Sequence, residues 1–197
     1  MRIVLASASP RRAEILRNAG IPFEVLAVQV DETRRVGELR GDYVRRLALE
    51  KARSAAADAN TGDGDCLFVG ADTVVVAGDE ILGKPRSEED ARRMLRKLSG
   101  NAHEVHTGLA VVQRPRAAEG VVDEVTRVTF APLSNNDIES YIATGEPFDK
   151  AGAYGIQGIG GRYVTRIEGC YFNVMGLPLA RLWALLHEFG WKETASR

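Results

Sequence analysis

Cysteine is nearly absent: the 197-residue chain holds two, Cys66 and Cys170, in no metal-ligand spacing and too few for a disulfide framework. That excludes stapled secreted folds, makes a zinc centre unexpected and fits a reducing compartment. Histidine is scarce as well, and His103, His106 and His187 show no catalytic spacing, so a nucleophilic triad has no support. An excess of one charge is missing too. Lys plus Arg number 26 against 27 Asp plus Glu, a net charge of −1, which argues against a dedicated nucleic-acid binder. No apolar run is long enough to span a membrane. The opening "MRIVLAS" enters a strand-like run with no signal-peptide pattern, so a cytoplasmic location is expected. Walker, G-x-S-x-G and G-x-G-x-x-G signatures are absent, as are repeats and low-complexity tracts.

What remains is an ordinary globular composition, 45% apolar and 27% charged, long enough for a substantial core in one domain or one domain of two lobes. Strand-like runs at "RIVLA", "FEVLAV", "LFVGADTVVV", "VHTGLAVVQ", "VVDEVTRVTFAP" and "RYVTRIEGCYFNV" alternate with helical patterns near 10–18, 42–59, 88–99, 135–144 and 177–188. This is an α/β chain. Strand and helix alternate in the first half, which predicts parallel pairing. The stretch "GLAVVQRPRAAEGVVDEVTRV" reads as two antiparallel strands around a polar loop, so the sheet should be mixed. "NTGDGD" at 60–65 is expected to be a loop inside a single domain covering 1–197.

The stretch "LASASPRRAEIL" breaks a local rule. Ser9 and Pro10 are helix-start residues, yet Arg11 and Arg12 then occupy the positive end of the helix dipole, where acids are favoured by ~0.3–1 kcal/mol. Elsewhere the rule is kept. "SEEDARRMLRKLSG" opens with Ser87, Glu88, Glu89 and Asp90, expected to form a capping box, and ends on Arg96, Lys97 and Gly100; "LSNNDIESYIATG" places Asp137 in its first turn and Gly145 at its end. Either the two arginines point into water, or an anion completes the helix start. Ser7 and Ser9 could add hydroxyl donors beside the free helix N–H groups, a setting suited to phosphate.

Only five lysines are present, at 51, 84, 97, 150 and 192, so each raises a question. Lys51 shares the stripe Tyr43, Leu47, Lys51, Ala55, and is either a snorkelling side chain or a cation aimed at a cleft. Asp72 interrupts an apolar strand, where a carboxylate must face solvent, a cation or a metal. Gly70 beside it leaves room for a ligand or a close backbone. Lys84 in "LGKP" offers another cation, and Asp31 and Glu32 in "QVDETRR" are either solvated acids or ligands. In the glycine-rich stretch 144–178, with Asp149, Lys150, Gln157 and Asn173, the glycines serve turns or bring Gln157 against a nucleobase edge. The residues by themselves stop at an anion-binding α/β protein, with a metal left open.

Four blocks in order, "LASASPRRAEIL", "LALEKA", "GADTVV" with "LGKP", and "TGEPFDKAGAYGIQG" followed by "GLPL", give the chain a strong resemblance to the Maf family of nucleoside triphosphate pyrophosphatases along almost its whole length. The resemblance implies a mixed α/β fold of the inosine-triphosphatase kind, with two lobes around a deep cleft and a homodimer. It also implies hydrolysis of a nucleoside triphosphate to monophosphate and pyrophosphate with Mg²⁺ or Mn²⁺. Ser7, Ser9, Arg11, Arg12, Lys51 and Lys84 would then grip the triphosphate. Glu32 and Asp72 would be the metal carboxylates, with Asp72 also accepting the proton of the attacking water. Arg12, Thr73 and Gln157 match the subgroup acting on dTTP and UTP, and modified pyrimidine nucleotides fall within its range. Two alternatives stand beside this: a nucleotide-binding regulator of septum formation with little turnover, and a purine house-cleaning pyrophosphatase of the inosine-triphosphatase fold.

Overall fold

The computed structural model describes residues 1–58 and 64–193. The expected 60–65 loop therefore lies mostly outside the described residues, as does the last residue of the helix expected over 42–59. Strand β1 (Arg2–Leu5) leads into α1 (Pro10–Asn18), β2 (Glu24–Val25), α2 (Arg40–Asp58) and the long β3 (Cys66–Ala77). There follow β4 (Glu80–Leu82), α3 (Glu88–Leu98), β5 (Ala102–Arg114), β6 (Glu119–Phe130), α4 (Asn135–Ile142), β7 (Val164–Glu168), α5 (Tyr171–Met175) and α6 (Leu179–Glu188), with three short 3₁₀ turns between α4 and β7.

Among the described residues seven strands form one mixed sheet in the order β2-β1-β3-β5-β6-β7, with β4 on β3. As the alternation predicts, β1 pairs in parallel with both β2 and β3. The β5–β6 connection, 115–118, is too short for a crossover, so these neighbours run antiparallel, as β6 and β7 also do. The expected strand "RYVTRIEGCYFNV" is cut short: it ends at Glu168, Gly169 takes φ +127°, and "YFNVM" coils into α5. Buried Asn173 holds that turn, donating to the Val105 carbonyl at 2.9 Å and the Thr126 hydroxyl at 2.9 Å. The α3 start is also simpler than expected. The Ser87 hydroxyl accepts from Asp90 N–H, but the Asp90 carboxylate turns to Arg86 N–H, whereas Ser134 and Asp137 of α4 form the complete reciprocal box.

The chain divides into two compact units, the first comprising 1–72, 107–124 and 176–197, the second 73–106 and 125–175. In the first, α2 is seated on the sheet by small residues. Ala48, Ala52, Ala55 and Ala56 meet Val4 of β1 and Ala6 just beyond it, Cys66 and Phe68 of β3, and Ala110 and Val112 of β5, each pair two residues apart and so on one face. At Gly70 an added Cβ would lie 2.0 Å from the Ala48 carbonyl oxygen, and at Gly108 2.1 Å from that of Val44. Helix backbone rests directly on strand backbone at both points.

The second unit has its own core, in which Phe130, Tyr141, Tyr154 and Tyr163 pack with Met94, Leu95 and Leu98 of α3. His103 belongs to it, edge-on to Phe130 with Nε2 2.8 Å from the Tyr154 hydroxyl, while its buried Nδ1 has no hydrogen-bond partner. Burial lowers its pKa from 6.5 to about 4. The unfolded chain therefore takes up this proton first as pH falls, so the stability is intact above pH 6.5 and drains away down to about pH 4. The full cost is about 3 kcal/mol. Urea unfolding at pH 7 and pH 4.5 should show the wild type losing about 2 kcal/mol more than His103→Gln; equal losses would place the acid sensitivity elsewhere.

Candidate active site

Period-two geometry puts Asp72 on the same face of β3 as Gly70, the face on which α2 lies. Ala48 and Ala52 bracket Gly70, and Lys51 on the same helix turn reaches Asp72, its Nζ donating to Oδ1 at 2.6 Å. The same ammonium meets Glu32 Oε1 at 2.7 Å. Lys51 and Asp72 side chains are each 12% exposed and Glu32 61%, so the cluster opens to solvent on the Glu32 side. The lysine on the apolar stripe is thus directed at two carboxylates. Burial raises the Asp72 pKa above its ordinary value; Lys51 and Arg12 oppose the rise and Glu32 adds to it.

Arg12 answers the question set by its place at a helix start. It turns inward, Nε donating to the Gly176 carbonyl at 2.8 Å and Nη1 to the Ala71 carbonyl at 2.8 Å and the Ser7 hydroxyl at 3.0 Å. Burial lowers its pKa and the field of Asp72 raises it again. Ser7 Oγ also accepts from Ser9 N–H at 3.2 Å, and the Ser9 side chain makes no cap bond to α1. One buried guanidinium therefore ties the 7–9 turn, the start of α1 and the strand position next to Asp72. Arg11 is half-buried in the first turn of α1, which carries no acid.

The segment carrying Glu32 is held by residues that the sequence did not single out. Tyr43 donates its hydroxyl to the Glu32 carbonyl at 2.8 Å, and Arg46 Nη2 donates to the Thr33 carbonyl at 3.1 Å. Arg46 grips Glu38 through Nε at 2.6 Å and Nη2 at 3.0 Å, side chains 13% and 8% exposed, and these bonds hold the Glu38 carboxyl down to about 2. Asp31, the other acid of the pair, is spent locally on Thr33 N–H at 2.9 Å. The available signal is the "YVRR" part of the α2 pattern, whose second arginine, Arg46, lies five residues before the conspicuous Lys51.

Ser7, Arg12, Glu32, Lys51 and Asp72 are thus brought together within the first unit, with Ser9 and Arg11 at the adjoining helix start. Thr73, Lys84 and Gln157 belong to the second unit, Thr73 half-buried, Lys84 and Gln157 exposed. The glycines around Gln157 serve close approach: a Cβ at Gly158 would lie 2.5 Å from the Glu146 carboxylate, and one at Gly160 2.5 Å from the Tyr141 hydroxyl. Among the described residues there is no cluster of three or more His, Cys, Asp or Glu side chains fit to hold a metal, and both cysteines are free. No helix among them is long and apolar enough to cross a membrane.

An ammonium between two carboxylates, one of them buried in a sheet strand beside an arginine-rich helix start, defines an α/β protein with a buried charge cluster at the edge of its first unit's core. The particular lineage is plain: residues 2–189 match the Maf-like protein family, and the chain belongs to it. It is 52% identical over 189 residues to a "dTTP/UTP pyrophosphatase" of Moorella thermoacetica, covering 96% of this chain and 95% of that one. A relative of the same name from Hahella chejuensis is 50% identical over 193 residues, covering 97% and 94%. Among solved structures the chain is similar to the Staphylococcus aureus Ham1 protein, with a TM-score of 0.45 at 14% identity, covering 96% of this chain and 100% of that one.

Proposed function

We propose that this protein is a nucleoside triphosphate pyrophosphatase that hydrolyses dTTP and UTP to the monophosphate and pyrophosphate. The observation that carries the reading is about half identity, over nearly the full length of both chains, to relatives of that name. The Lys51–Asp72–Glu32 cluster supplies chemistry suited to it. A cytoplasmic homodimer follows from the same family resemblance.

A divalent metal fits the donor set. Glu32 and Asp72 converge on one cationic nitrogen, at 2.7 and 2.6 Å, and both offer the hard oxygens that Mg²⁺ and Mn²⁺ prefer. With no third carboxylate in reach among the described residues, waters and phosphate oxygens would complete the shell, the usual Mg²⁺ pattern. The ion would supply charge neutralisation on the phosphate oxygens.

The protein's own part is positioning and proton transfer. Asp72 takes a proton from the water whose oxygen bonds to the α-phosphorus, while the bond from that phosphorus to the bridging oxygen breaks and pyrophosphate leaves. A carboxyl whose pKa is raised by burial is a better base than an ordinary aspartate. Arg11, Ser7, Ser9 and the α1 N–H groups bind phosphate oxygens, with Lys51 adding charge. Arg12, expected to grip the triphosphate, has Nε and Nη1 committed to protein acceptors, and on this reading it acts through its hold on the Ala71 carbonyl and its field on Asp72. The family resemblance gives Thr73 and Gln157 of the second unit the choice of base.

Pyrophosphate release from dTTP, UTP, CTP, 7-methyl-GTP and ITP, with Mg²⁺ or Mn²⁺, tests the reading. Metal-dependent release from dTTP and UTP is expected; binding without release from any nucleotide would make the protein a regulator, and release from ITP alone a purine enzyme. Because Arg46 anchors the Glu32 segment, Arg46→Met should raise the half-saturating Mg²⁺ concentration about tenfold or more, with a matching fall in calorimetric Mn²⁺ affinity. Unchanged metal affinity would show that Glu32 needs no such anchor.

A further inference from the structure

Gln157 stands at the exposed third position of a tight turn, Gly158 N–H bonding back to the Gly155 carbonyl at 3.3 Å, with Ile156 beside it packed on the second unit's core. One end of this turn is tied to a carboxylate directly and the other through a tyrosine hydroxyl. Glu146 Oε2 accepts from Ile159 N–H at 2.8 Å, and Oε1 accepts from Gly160 N–H at 3.1 Å and from the Tyr141 hydroxyl at 2.8 Å. That hydroxyl in turn accepts from Gly155 N–H at 3.2 Å. Lys150 closes the other side, its Nζ donating to the Glu146 carbonyl at 2.7 Å. A carboxylate that accepts three donors has no equivalent in an amide, whose NH₂ would face at least one N–H group head-on.

We propose that Glu146 is a positioning residue for base selection: with Tyr141 as relay, its carboxylate fixes the 155–160 turn and so sets where the Gln157 amide meets the uracil or thymine edge. The inference rests on the pyrimidine reading above and deepens it. Gln157 alone could pair with many edges, because an amide both donates and accepts; a fixed backbone selects which. Burial alone would raise the Glu146 pKa, yet the Gly160 and Ile159 N–H groups and the Tyr141 hydroxyl hold it below its ordinary value, as expected of a carboxylate working as an acceptor.

The test is a double-mutant cycle on discrimination. kcat/KM for UTP and for CTP is measured in wild type, Glu146→Gln, Gln157→Ala and the double variant, with amide hydrogen exchange on 155–160. Glu146→Gln should lower the UTP:CTP ratio about tenfold, mainly through the KM for UTP, and speed exchange across the turn. In the Gln157→Ala background it should lower the ratio no further. A ratio unchanged by Glu146→Gln, or lowered equally in both backgrounds, would overturn the proposal. Tyr141→Phe, which removes only the relay hydroxyl, should shift the ratio in the same direction and decides the matter if the first variant does not fold. A wild type that releases no pyrophosphate from UTP would overturn the function itself, a failure distinct from an active wild type indifferent to Glu146.

Discussion

Asp72→Asn is expected to lower pyrophosphate release from dTTP and UTP by about 10²–10⁴-fold, the range lost with a general base, while leaving nucleotide binding measurable. The same variant should resist urea at pH 7 at least as well as the wild type. The reason is the direction of the Asp72 shift: burial disfavours its charge by more than Lys51 and Arg12 restore. The fold therefore holds this proton more tightly than the unfolded chain does, stability from this group is greatest at low pH, and it falls as pH rises through the raised pKa. Neutral Asn escapes that cost, and Lys51 keeps Glu32 as its partner at 2.7 Å. Activity and stability thus move in opposite directions, as at sites where function holds a charge in an unfavourable place. Retained turnover would move the base to Glu32; a clear fall in urea resistance would mean that the Lys51 pair outweighs the burial of its carboxylate.

The candidate cluster was legible wherever a residue broke a local rule. Lys51 on an apolar stripe and Asp72 in an apolar strand are both contradictions within a few residues, and they meet at 2.6 Å. The arginines of α1 were legible as an anomaly but not in its resolution. Arg12 finds acceptors at Gly176 and Ala71, and nothing local announces partners 164 and 59 residues away. Asp31 and Glu32 could not be told apart by type; which acid is spent on Thr33 N–H depends on the turn of the chain. Glu146 was hidden for a further reason. Beside Pro147 it reads as an ordinary turn residue, and its partners Ile159 and Gly160 gather round it only once the glycine-rich segment has folded back. Fold class was easier, since strand period and helix stripe are local and the alternation restricts the topology. The short α5 was missed because its helical turn is stabilised by the distant Val105 carbonyl and Thr126 hydroxyl.

Gly70→Ala should remove both stability and turnover through one contact. The new Cβ would stand 2.0 Å from the Ala48 carbonyl oxygen and 2.8 Å from Ala52 N, so it meets helix backbone, and no change of rotamer relieves it. Either α2 lifts from β3 or the strand bends away, at a cost of about 3 kcal/mol or more for overpacking against groups that cannot yield. Lys51 lies between those two alanines on the helix and Asp72 two residues along the strand, so any such displacement also opens the 2.6 Å ion pair. Protein that remains folded is therefore expected to have lost most of its kcat. Gly78→Ala separates packing from backbone freedom: there φ is +61° and a Cβ meets nothing within 4 Å. The left-handed conformation alone should cost about 1–2 kcal/mol with turnover kept. Urea midpoints and kcat for the two variants decide the point. If Gly70→Ala proved no worse than Gly78→Ala, the seating of α2 on β3 would not be what holds Lys51 against Asp72.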